Sequence, residues 1–178
     1  TGAYQGGGAI LAEGGAITLD HMTITGNRTN GHVAGGGGVA GTDIILTNST
    51  VTDNHALGDN SEGGGVSAGN LAVTNSTIAG NSTEGPFSRG GGISSGYVAL
   101  TNSIVRDNHT SGDLSSGGGI YAPGNLMAVN STITRNSTEG GGSPGGGVSG
   151  QPLVFVNSSI TGNSTAGNGS HGGGIYGI

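Results

Sequence analysis

The sequence has no cysteine, no tryptophan and no lysine. Without thiols there is no disulfide framework, no thiolate zinc site and no cysteine nucleophile. Without lysine, four arginines face ten Asp and Glu residues, a formal net charge of −6. Nucleic acid needs a basic face that releases counterions, so that partner is disfavoured, and so is adsorption to anionic membrane. Only 3% of the 178 residues are aromatic, 8% are charged and 31% are hydrophobic. A compact two-layer domain is hard to fill with so few large side chains. No apolar run approaches the roughly 18 residues that read as a membrane helix, so no membrane insertion is expected. No signal-peptide pattern is visible either, and a chain starting at Thr1 reads as processed or excised from a longer one.

What is present is glycine, 43 residues of it. It is blocked rather than placed at every third position, which excludes a collagen-like repeat. Gly-Gly-Gly blocks begin at residues 6, 36, 63, 90, 117, 145 and 172, so most spacings are 27. In step with them run Asn27, Asn54, Asn81, Asn108, Asn136 and Asn163. A third marker is Asn48, Asn75, Asn102, Asn130 and Asn157, with His21 in that slot of the first copy. Self-similarity at such a period means a stack of equivalent supersecondary units, here one repeat domain over residues 1–178. A solenoid also explains the composition, because each coil needs only a thin core that its neighbours renew.

Helix is disfavoured by the glycines and by Val, Ile and Thr in alternation. Each copy offers three short strands. The first carries Val39, Val66, Ile93, Ile120, Val148 and Ile175. The second carries Ile44, Leu71, Val98, Leu126 and Leu153, then Leu46, Val73, Leu100, Ala128 and Phe155. The third centres on Ile24, Val51, Ile78, Val105, Ile133 and Ile160. The pattern predicts an all-β, right-handed parallel β-helix of about six coils, roughly 30 Å long at about 4.8 Å per coil. Extra residues near 9–16 and at Pro123 are the departures in length. Eight-residue segments such as HALGDNSE and STEGPFSR follow the second Asn marker and read as a variable loop edge.

The Asn48 column is expected at a bend between strands, turned inward in a left-handed conformation and bonded amide to amide along the stack. The triple glycine is expected at a close-packed corner where no side chain fits. It is not a phosphate loop, which needs a following helix and usually a lysine.

The segments GGAI at 7–10 and 14–17, the later GGG followed by Val or Ile, and ITGN, VTDN, IAGN, VRDN and ITRN carry a resemblance. Together they resemble the repeats of chlamydial polymorphic outer-membrane proteins, which pair GGA-I/L/V with F-x-x-N; Ile or Val stands here where that family has Phe. They are also similar to bacterial β-helix repeat proteins reading NSTI-x-x-N and GGGI. The resemblance spans essentially the whole chain. It implies exported surface adhesins or autotransporter passengers, and it carries over no catalytic residue, since the motif contains none.

Catalysis on such a stack would need converging carboxylates, with Ca²⁺ and a base for a lyase or a close carboxylate pair for a hydrolase. Asp53, His55, Asp107 and His109 are the best candidates. Asp53 and Asp107 lie two coils apart with Gly80 between them, about 9.6 Å, and Arg135 is placed to pair with Asp107. Ser82 separates the two His, Pro86 separates Asp59 from Asp113, and Ser111 separates Glu84 from Glu139, while Glu62 and Arg89 are adjacent. Like charges kept two coils apart read as solvated surface, so no catalytic, metal or cofactor site is expected. The many N-x-S/T triplets read as ladder Asn followed by strand Ser or Thr, with loop Asn168 the accessible glycosylation candidate.

The expected function is an extracellular or cell-surface structural or adhesive rod. Its expected partners are itself, head to tail, or adjacent repeats of a longer chain, and surface glycans. Ile10, Ile17, Leu19 and Ile24 at one end, and Ile160, Gly173, Ile175 and Tyr176 at the other, form the end-to-end faces. Two other readings stay open: a polysaccharide-binding or polysaccharide-cleaving protein, and an ice-binding protein using the outward Thr23/Thr25, Thr50/Thr52 and Thr132/Thr134 pairs.

Overall fold

The 27-residue spacing sets each strand in register on its counterpart one coil away. Val39 pairs with Val66, Val66 with Ile93, and Ile93 with Ile120, all in parallel. The computed structural model describes residues 4–177 and contains no helix among them. The chain winds as a parallel β-solenoid of about six coils with three stacked sheets.

Sheet 1 is built from Ile10–Asp20, Val39–Thr47, Val66–Thr74 and Ile93–Thr101. In later coils each strand splits, into Ile120–Ala122 with Asn125–Val129, and Val148–Gly150 with Leu153–Val156, before Ile175–Gly177 closes the sheet. Sheet 2 stacks Thr23–Thr25, Thr50–Thr52, Thr77–Ala79, Ile104–Arg106, Thr132–Thr134 and Ser159–Thr161. Sheet 3 stacks Arg28–Asn30, His55–Leu57, Ser82–Glu84, His109–Thr110, Ser137–Thr138 and Ser164–Thr165.

Three long sheets are present beside one short pair, Tyr4–Gly6 on Val33–Gly35, but they are not the three partitions expected. The first two strand candidates are one continuous nine-residue strand in the second to fourth coils. The third sheet comes from the start of the segments read as variable loop. Its inward column is Thr29, Ala56, Thr83, Thr110 and Thr138, all buried, and none is a large apolar residue. The length changes fall where expected. A register shift between Ala12 and Ala16 absorbs the first-coil insertion, and the strand break after Ala122 absorbs the one at Pro123.

The core is the set of inward columns. Val39, Val66, Ile93, Ile120 and Val148 are fully buried, and Ile24, Val51, Ile78, Val105 and Ile133 are at most 4% exposed. At the last full coil the same columns open: Leu153, Phe155 and Ile160 are only partly buried and Ile175 is 38% exposed.

The triple glycine is fixed by three different constraints, seen at residues 63–65. Gly63 has φ +62, and a side chain there would fall onto the Val66 carbonyl. At Gly64 a Cβ would strike the carbonyls of Ser82 and Gly91 in the next coil. At Gly65 it would come within 3.0 Å of the Asn81 amide. The corner is therefore pressed directly against an asparagine.

Candidate functional site

Three polar columns run through the interior, one at each corner of the coil. The Asn column is the tightest. Asn54, Asn81, Asn108 and Asn136 are at most 1% exposed, with Asn27 and Asn163 half-buried at the ends. The Asn81 Oδ1 accepts from both the backbone N–H and the side-chain amide of Asn54, each at 3.0 Å. Its own amide donates to Asn108 Oδ1 at 2.9 Å and to the Val51 carbonyl at 3.0 Å. Every capacity of the buried amide group is thereby used.

The second column corrects the expectation for Asn48, Asn75, Asn102, Asn130 and Asn157. These residues do hold left-handed backbone, with φ between 48° and 50°, but their side chains are exposed, not inward. Asn48, Asn75, Asn102 and Asn130 form a looser outer ladder with rungs of 3.3–3.4 Å, begun by a 3.0 Å bond from Asn48 to Asp20. The inward residue is the serine that follows. Ser49, Ser76, Ser103 and Ser131 are buried, and each Oγ accepts the N–H of its counterpart one coil earlier. A left-handed residue resets the strand alternation, so its successor turns in. The unbroken Asn-Ser dipeptide was the available signal. Asn48 and its column are consequently accessible, as is Asn168.

A third column, Ser61, Ser88, Ser115, Ser143 and Ser170, does the same beside the glycine corner. Thr29, Thr83 and Thr110 differ: their buried hydroxyls have no partner within the protein.

Charged groups sit outside, and some are paired between coils. Asp107 takes a two-pronged contact from Arg135 at 2.7 and 3.0 Å, and a further bond from Arg106 at 2.6 Å. Hydrogen bonding by Arg135, reinforced by Arg106, holds the Asp107 carboxyl below its ordinary pKa, against a smaller opposing effect of burial. Arg135 is pushed up in turn, chiefly by its bond to Asp107. At the first coil, His21 bonds Asp20 at 2.8 Å and lowers its pKa, with Asn48 assisting. Glu62 and Arg89 meet at 3.4 Å. His55 Nδ1 contacts Ser82 Oγ at 2.7 Å, but Ser82 is fully buried. Register sets Ser82 between His55 and His109, as the spacing required. Asp53, Gly80 and Asp107 likewise occupy successive coils, so the four candidates for chemistry do not converge. Among the described residues no three His, Asp or Glu side chains are grouped to hold a metal ion.

The outward Thr face of sheet 2 is interrupted by Ala79, Ile104 and Arg106. Thr25 and Thr52 bond each other, as do Thr134 and Thr161. The outer face of sheet 1 is different in character. Asp43, Asn70, Tyr97 and Asn125 form one column, and Ile45, Ala72, Ala99 and Met127 form the next. Between them lies an open groove of about 450 Å³.

The architecture defines the class: a parallel β-solenoid of the β-helix repeat type with an internal asparagine ladder. Comparison with family models, curated proteins and solved structures gave no match to this chain.

Proposed function

We propose that this chain is a non-catalytic structural and adhesive rod working outside the cell or on its surface, of the kind its GGG-I and I-x-x-N repeats resemble. The observation carrying this reading is how the repeating polar residues are used. The buried Asn and Ser columns go into holding coil on coil. The carboxylate best placed for chemistry, Asp107, is clamped between two arginines that favour its charged form and hinder a role as proton donor. What varies from coil to coil is the outer surface, as suits a scaffold that presents different faces.

The partly open apolar layer of Leu153, Phe155, Ile160 and Ile175 supports stacking of a further coil, from a second copy or from adjacent repeats. In the first case the face around the partly buried Ile10 and Ile17 receives it, with Gly173–Tyr176 at the junction; Leu19 and Ile24, expected on that face, are already buried within the first coil. Sedimentation and negative-stain imaging over a wide concentration range test this: rods lengthening with concentration are expected, and a strictly monomeric rod at high concentration removes self-assembly. The non-catalytic reading is checked on pectin and alginate with and without Ca²⁺. No turnover is expected, and turnover abolished by Asp53→Asn or Asp107→Asn would overturn it.

A further inference from the structure

We propose that the outer face of sheet 1 carries a binding subsite for a neutral glycan, centred on Tyr97; this rests on the adhesive reading and names its ligand class. The Tyr97 ring stands 58% exposed in a chain with only four Tyr and two Phe. Beside it the next column dips. Ile45 and Met127 stand up at the two ends, and Ala72 and Ala99 between them leave the groove floor flat and apolar. At about 4.8 Å per coil the dip runs roughly 14 Å from Ile45 to Met127, an elongated trough along the rod axis.

Hydrogen-bonding groups are set on both sides of the ring in its own column. Asn70 donates to Asp43 Oδ1 at 2.6 Å, which fixes the pair and leaves the second Asp43 oxygen and Asn70 Oδ1 as acceptors. On the other side, Asn125 lines the groove half-buried, with its Oδ1 turned away from solvent. The site thus offers an aromatic face, an apolar floor and, on the Asp43–Asn70 side, a pair of acceptors. A pyranose ring is the matching ligand: its C–H face stacks on an aromatic ring while hydroxyl donors project from its edge. An acidic sugar would meet Asp43 and a chain of net charge −6. An extended peptide would seek unpaired backbone, and these mid-rod strands are paired on both sides.

Titration calorimetry with cellohexaose and mannohexaose tests the site, with polygalacturonate as the anionic comparison. Saturable binding of at least one neutral hexamer is expected. Tyr97→Ala should weaken it at least about tenfold, and Tyr97→Phe should keep most of it, with unfolding midpoints unchanged. Absence of binding by both neutral hexamers, preference for polygalacturonate, or indifference to Tyr97→Ala would each overturn the proposal. So would a Tyr97→Ala protein whose only change is loss of self-association, since the face would then be a contact between copies. Rod assembly is read independently by sedimentation, so failure of the glycan site leaves the structural reading standing.

Discussion

Asn81 and Asn75 are the same amino acid six residues apart, and the structure asks opposite things of them. Asn81 is buried and joined to Asn54, Asn108 and the Val51 carbonyl. Asn75 lies exposed in a ladder whose bonds are 3.3–3.4 Å long. Removing Asn81 strands the Asn54 backbone N–H and one Asn54 amide hydrogen away from water, and takes one bond each from the Val51 carbonyl and Asn108 Oδ1. Each such loss costs about 1–3 kcal/mol, so Asn81→Ala should destabilise by several kcal/mol in total. Asn75→Ala also meets a left-handed backbone that Ala tolerates less well, but its amide bonds are replaced by water; a cost of about 1 kcal/mol is expected. Denaturant midpoints of the two variants give the comparison, and equal shifts would contradict the assignment of the inner ladder.

At the level of strands, the sheets are tied by backbone pairing and, on the outside, by a few charge contacts between coils. Asp107 and Arg106 belong to one strand-and-turn and Arg135 to the next coil. Because the folded state lowers the Asp107 pKa, its contribution is fully present above the unfolded value of about pH 4. It is lost as pH falls through the lower folded-state value. Its size is bounded by exposure, at about 0.2–1 kcal/mol per pair. Asp107→Asn should therefore lower the thermal midpoint slightly at neutral pH, with the gap to the parent closing in acid and at high salt; a gap that widened in acid would reject this account. Strands with large apolar columns, such as Val39 to Val148 and Ile24 to Ile133, were legible in the sequence because their alternation is unbroken. Sheet 3 was not, because its inward column is threonine with a single alanine, Ala56, and its outward residues include Arg28, His55 and Glu84. Small inward residues suffice there because the glycine corner already presses close against the Asn ladder. The groove was hidden for another reason. It is made by Ala72 and Ala99 being small where Ile45 and Met127 are large, a contrast that appears only once register places those four residues in line.

For the whole molecule, stability is a sum of coils and of the contacts between adjacent coils, so length is adjustable only in units that keep every column in step. Deleting residues 72–98, one 27-residue period, joins Leu71 to Ala99. Leu71, Ala99 and Leu100 then follow one another as buried, outward and buried, the pattern of Leu71, Ala72 and Val73 in the parent. The Ser49, Asn54 and Ser61 ladders lose one rung each and close again, because every rung bonds only to its counterparts in adjoining coils. Deleting residues 72–99 instead joins Leu71 directly to Leu100. The two would then demand opposite faces of the sheet, and the strand must either expose Leu100 or bulge around it. The 27-residue deletion should give a folded, shorter rod with unchanged β-type circular dichroism and a lower unfolding midpoint, reflecting one missing coil–coil contact. The deletion longer by a single residue should lose several kcal/mol more, with a broadened transition and increased binding of an apolar dye. Equal behaviour of the two chains would mean that the inward columns do not determine the coil length, and the packing described for sheet 1 would have to be abandoned.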